Sequence, residues 1–172
     1  SMSEITARVG GSKATLYSYF PSKEALFVEV MQRFGKAHID GMFAELDPDQ
    51  DLRESLCKFG EQFVAFLSQP KFIAVLRVVY AESGRSDIGR QFFERGPAEG
   101  NRRLASYFGQ CMANGRLRKD NAQVCASHFT ALLRAEIIDA LLMDACGEGL
   151  PSVKESVGRA VEVFLRAYAA PV

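Results

Sequence analysis

The chain has 172 residues, 48% of them hydrophobic, enough for one substantial core or for a small unit joined to a larger one. Its 21 Lys and Arg balance its 21 Asp and Glu, so no global basic excess announces a nucleic-acid partner and any such reading must rest on local residues. The four cysteines (Cys57, Cys111, Cys125, Cys146) are scattered, with no CxxC pair and no histidine cluster, which argues against a zinc site and for reduced thiols on helix faces.

Nothing resembles a signal peptide, and charges interrupt every apolar run before it reaches the length of a bilayer, so a soluble, cytoplasmic protein with no membrane partner is expected. In chain order, proline and glycine divide the sequence into segments with the three-to-four-residue apolar period of helices, and strand-like alternation is absent. Ile5 and Val9 lie one turn apart in a short helix stopped by Gly10 and Gly11; Ser12 caps a second that ends before Pro21. Ser22 caps a third, longer helix with Glu24 in its first turn and Ala25, Leu26, Val30, Phe34 and Ile39 along its buried side. Pro48 and the acidic stretch Asp47 to Asp51 break the chain. Leu52, Leu56, Phe59, Phe63, Phe66 and Leu67 then form a broad apolar face that ends at Pro70.

Helices follow from about Phe72 to Glu82, from about Asp87 to Arg95, and from Pro97 to Ala113, where Asn114-Gly115 stops the last of them. From Ala122 to Cys146 the sequence is apolar on most sides, as expected for one helix buried all round, until Gly147, Gly149 and Pro151 close it. A final helix starts at Ser152 and aligns Val153, Val157, Val161, Phe164, Leu165 and Tyr168. So much apolar surface on the last two helices (about 122–146 and 152–169) points to a homodimer interface there. The fold class is all-α.

Helix, glycine turn, helix is the arrangement in which a second helix enters the major groove of DNA. The helical period turns Leu16 and Phe20 inward and Ala14, Thr15 and Ser18 outward, and these short side chains let the backbone approach base edges. Lys13, Tyr17 and Tyr19 flank that strip and suit phosphate contacts, as does Lys23 at the start of the third helix, where free N–H groups attract anions.

The string from Ser3-Glu4-Ile5-Thr6-Ala7-Arg8-Val9-Gly10 through Lys13-Ala14-Thr15-Leu16-Tyr17-Ser18-Tyr19-Phe20-Pro21-Ser22-Lys23-Glu24-Ala25-Leu26-Phe27 closely resembles the DNA-binding signature of TetR-family regulators. The resemblance implies a helix-turn-helix reading head, a ligand-binding helical body and a two-fold dimer on double-stranded operator DNA. It places the recognition helix on Lys13 to Tyr19 and puts Thr15, Tyr17 and Lys23 at the DNA. Gly11 departs from the family, which has an apolar residue there, so a hydrophobic staple is lost. Because the signature starts at Ser1, the family's first helix and basic arm are expected upstream of this sequence.

The remainder resembles the C-terminal domains of AefR-like regulators at Tyr80-Ala81-Glu82-Ser83, Phe92-Phe93-Glu94-Arg95-Gly96-Pro97 and Asn114-Gly115-Arg116-Leu117-Arg118. The expected division is a partial head at 1–36 and a ligand-binding, dimerising body at 37–172. Phe59, Phe63, Phe66, Val79, Tyr80, Phe92, Phe93, Tyr107, Phe108, Met112 and Phe129 make an aromatic-rich interior. Of these, Phe63, Phe66, Tyr80, Tyr107, Phe108, Met112 and Phe129, with Arg134 as orienting group, are the candidate lining for a small apolar or amphipathic ligand. Such stripes also simply pack a core. Polar groups inside apolar helices (Arg77, His128, Arg134, Glu136, Asp139) need partners, and pairing with one another across the dimer is expected. His38 and His128 stand far apart, and HExxH, phosphate-loop and serine-elbow motifs are all missing, so neither an enzyme nor a cofactor or metal is expected. The alternative to a ligand-released repressor is a helical interaction protein without DNA binding.

Overall fold

Side chains that satisfy the first free backbone N–H groups mark where five of the helices begin, in this computed structural model as in the sequence. The structure describes residues 2–10, 12–145 and 149–171, without the side chains of Met2, Val9, Glu24, Gln32 and Phe34. The expectations for Val9, Gly11, Glu24, Phe34, Cys146 and Gly147 therefore lie outside the described residues.

Two short helices, α1 (Met2–Val9) and α2 (Lys13–Tyr19), flank Gly10, whose φ of +76° favours glycine. The long α3 (Lys23–Ala44) follows, capped by Ser22. It continues past Ile39 and crosses the division expected after residue 36 without interruption. Asp51 caps α4 (Leu52–Leu67). Pro70 both stops α4 and opens α5 (Pro70–Glu82), because its missing N–H costs nothing in a first turn. Then come α6 (Ile88–Arg95), α7 (Pro97–Ala113) and α8 (Ala122–Arg134), the last capped by Asn121.

The single helix expected from Ala122 to Cys146 is instead broken after Arg134. A turn precedes the short α9 (Ile138–Leu142). No proline or glycine stands at the turn, and tertiary contacts carry the change. Ile138 enters the core, and Arg77 of α5 caps the end of α9 by donating to Leu141 O at 2.8 Å and Leu142 O at 3.0 Å. The final helix, α10 (Val153–Tyr168), begins with a reciprocal capping box between Ser152 and Glu155.

The core of the body lies among α4, α7, α8 and α10. Phe108, Phe129 and Phe164 are fully buried and mutually packed, with centroids 5.0 to 5.8 Å apart. Gly60 brings α4 close to α8 and α10: a Cβ there would meet Val157 Cγ1 at 2.7 Å and Leu133 Cδ2 at 2.8 Å. Tyr80 and Phe93, expected in the interior, are on the surface, 56% and 57% exposed.

One tie is not helical. Arg116 donates to the carbonyls of Pro48 (2.8 Å), Asp49 (3.2 Å) and Gln50, gripping the connection before α4. Its neighbours hold the chain's last turn: Arg118 N–H donates to Tyr168 O, Ala170 N–H to Arg116 O, and Leu117 and Ala169 form an isolated antiparallel bridge.

Candidate nucleic-acid interface and ligand site

Ser12 accepts from Thr15 N–H at 3.0 Å and so starts α2 where the glycine turn ends. The same hydroxyl lies 2.9 Å from Thr15 Oγ1, and Ser18 Oγ donates to Thr15 O at 2.7 Å. None of the α2 residues is buried. Leu16 and Phe20 are half-buried, whereas Lys13, Ala14, Thr15, Tyr17, Ser18 and Tyr19 are exposed. Tyr19 is 75% exposed, an unusual placement for a large aromatic ring unless it serves a surface. Lys13 Nζ lies 5.8 Å from the Tyr17 ring centroid, grouping cation and phenol on one flank. Lys23 opens α3 beside the Ser22 cap. Across residues 1–23, Arg8, Lys13 and Lys23 stand against Glu4 alone, so a local positive excess exists in a chain of zero net charge.

Within the body, Phe66, Tyr107, Phe108, Met112 and Phe129 are buried and Phe63 and Arg134 half-buried. Phe59 joins Phe63 and Phe129, while Phe108 packs on Phe129; Phe66 lies apart, against Phe72 at 4.8 Å and stacked on His38 at 5.0 Å. Arg134 donates to the Tyr80 hydroxyl at 3.1 Å, which joins those two candidates at the surface rather than in the core.

Three of the other polar groups also find partners within the chain. His128 Nδ1 lies 2.5 Å from Tyr168 OH, Glu136 accepts from Arg159 at 3.0 Å, and Arg77 caps α9 and reaches Asp144. The sequence reading missed a polar spot. Tyr107 OH is buried beside the Ser55 hydroxyl and the Cys111 thiol without a well-formed hydrogen bond to either, and burial pushes its pKa upward. Ser55, a hydroxyl on the buried stripe of α4, was its one sequence signal.

Two clefts lie where the N-terminal helices meet the body. One, of about 740 Å³, is bounded by Ile5, Leu16, Leu26, Phe27 and Val30 on one side and Val78, Glu82, Ser86 and Ile88 on the other. The second, of about 490 Å³, lies among Tyr19, Phe20, Ala25, Glu29, Arg90 and Glu94. Of the candidate residues, only Lys23 and Tyr19 line them, and none of the interior aromatics does. Among the described residues no group of acidic, His or Cys side chains could hold a metal, and no single helix is long and apolar enough to cross a membrane.

A structure entitled Flavonoid-responsive Regulator FrrA is 30% identical over all of this chain and 88% of its own, with a TM-score of 0.77. A TetR-family regulator from Mesorhizobium loti shares the fold at 24% identity and a TM-score of 0.82, covering 99% of this chain and 87% of its own. A regulator from Saccharomonospora viridis in complex with choline does so at 23% identity and a TM-score of 0.67, covering 99% and 88%. Comparison with curated proteins gives no match. Residues 1–30 match the family described as bacterial regulatory proteins, tetR family, and residues 54–170 match the C-terminal domain of AefR-like transcriptional repressors. With more than half of its length in that second match, the chain belongs to the TetR family of transcriptional regulators and carries an AefR-like C-terminal domain.

Proposed function

We propose that the protein is a ligand-responsive repressor that binds operator DNA as a homodimer and releases it when a small apolar or amphipathic molecule occupies the body. The observation that carries this reading is α2, where a strip of short side chains (Ala14, Thr15, Ser18) is exposed between Lys13, Tyr17 and Tyr19, with Lys23 beside it. The residues before about 36 form the reading head, and those after it the body.

Dimerisation through α8 and α10 is supported by their outward stripes. Val124 and Ala131 on α8, Ala135 just after it, and Val163 and Ala167 on α10 are exposed, and short side chains let helices of two chains approach closely. The ligand reading rests on Phe63, Phe66, Tyr107, Phe108, Met112 and Phe129, with the unpaired Tyr107 hydroxyl as a polar handle. Arg134 and Tyr80 stand at the periphery. Release is a population shift: a ligand favouring one angle of α3 weakens operator binding by that preference and no more.

The full chain titrated against DNA upstream of its own gene, across salt concentrations, tests the reading. A flavonoid and choline, the ligand types named for two similar proteins, are the first molecules to add. Sequence-specific binding that a small molecule weakens is expected, whereas binding indifferent to sequence at every salt concentration would sink it.

A further inference from the structure

The body grips α3 along its C-terminal half, and clefts flank the N-terminal half. Gly35 rests on Phe66, where a Cβ would meet the ring at 3.0 Å, and Phe43 packs 5.2 Å from Phe59. Polar holds come from α4, where Gln62 and Lys58 reach Glu45 at the end of α3, and from α7. Arg103 Nη1 donates to Asp40 Oδ1 at 2.8 Å, and the guanidinium lies 4.0 Å from the Phe43 ring centroid. One group thus joins a carboxylate and a ring on successive turns of α3, which a planar guanidinium does and an ammonium does poorly. Asp40 is also bound by Lys36 at 2.9 Å, and the two cations, Lys36 first, hold its carboxyl below the usual range. Toward its N-terminus, α3 packs against α6 and buries Val28, with the 490 Å³ cleft beside Ala25 and Glu29 and the 740 Å³ cleft beside Leu26 and Val30.

We propose that Arg103 is the latch through which α7 fixes the angle of α3, and with it the position of the reading head. The inference deepens the regulator reading and rests on it for its biological sense. Tyr107 lies one turn beyond Arg103 on α7, with Phe108 and Met112 after it, so a molecule that displaces α7 at those side chains carries the latch with it. Geometry supplies the amplification: Asp40 and Ser22 are about 27 Å apart along the helix, so a rotation of about 10° at the latch moves the head by about 5 Å.

The test reads that movement directly, without DNA or inducer. Spin labels go on the full chain at Lys13→Cys and Lys119→Cys in a Cys57→Ser, Cys146→Ser background, diluted with unlabelled protein so that only pairs within one chain contribute. Arg103→Met is expected to shift or broaden the head-to-body distance by about 5 Å, the scale of that rotation, and Arg103→Lys to do so less. An unchanged distribution in Arg103→Met protein of parental helix content overturns the proposal. If Arg103→Met loses helix content, Asp40→Asn removes the same ion pair from the other side and is judged by the same two results. Failure of the regulator reading shows separately, as absence of operator binding by the parent chain.

Discussion

Thr15 does two jobs with one side chain. Its hydroxyl pairs with Ser12 at the start of α2, while the residue stands on the strip proposed to face DNA. Thr15→Ala is therefore expected to relax base preference, by about 1–3 kcal/mol of discrimination at one position. Comparing binding to the operator and to single-base variants measures this. Tyr17→Phe and Lys23→Ala, at positions proposed to meet phosphates, should instead weaken all those sites about equally, and Lys23→Ala, which removes a charge, should also reduce the salt dependence. The cap, the turn and the exposure of the strip were legible because they sit within a dozen residues of sequence. Arg103 was not: its partners Asp40 and Phe43 lie some sixty residues away, and nothing near Arg103 in the chain distinguishes it from Arg102, which pairs locally with Glu99. Gly60 was equally silent. Gly60→Ala would press on two buried side chains and should destabilise the fold by about 1–3 kcal/mol, read as a lower urea midpoint at unchanged slope.

Among elements, those with a local start and stop were read correctly from their punctuation, as with α7 between Pro97 and Asn114-Gly115 and α10 after Ser152. The break between α8 and α9 was invisible because what marks it is distant in sequence: Ile138 is buried just beyond it, Arg159 of α10 holds Glu136 in the turn, and Arg77, some sixty residues upstream, ends α9. A capping box adds two hydrogen bonds at the start of α10, so Ser152→Ala should cost about 1 kcal/mol. The same helix offers a test of assembly. Val163 is exposed in the monomer and central to the outward stripe, so Val163→Glu is expected to raise the dimer dissociation constant at least about tenfold, the equivalent of about 1.4 kcal/mol. Sedimentation velocity over a concentration series measures it, and a dimer as tight as the parent would place the interface elsewhere.

For the whole molecule, charge balance conceals a pattern of pairs between elements. Arg53 of α4 and then, within α10, Arg166 hold Glu162 below the usual carboxylate range, Arg159 does so for Glu136, Gln62 and then Lys58 for Glu45, and, locally at the start of α6, Arg90 for Asp87. In each the folded pKa is depressed, so the stabilisation is fully present above the ordinary carboxylate pKa and is lost as pH falls through the folded value. Urea midpoints should be level near neutrality and decline below about pH 4.5, where unfolded carboxylates begin to take up protons. Salt should lower them only slightly, since these pairs are exposed and already weak.

The grip of Arg116 on Pro48 to Gln50, with its neighbours Leu117 and Arg118 pairing to Tyr168 through Ala170, brings the entrance and exit of the body to one short stretch of chain. From α4 onward the body is thus tied to itself at both ends, and it is joined covalently to the head through α3 alone. A unit closed in this way does not depend on what is attached in front of it. On the proposed reading, exchange of the head on such a body would retarget the same chemical sense to a different stretch of genome without reopening the core.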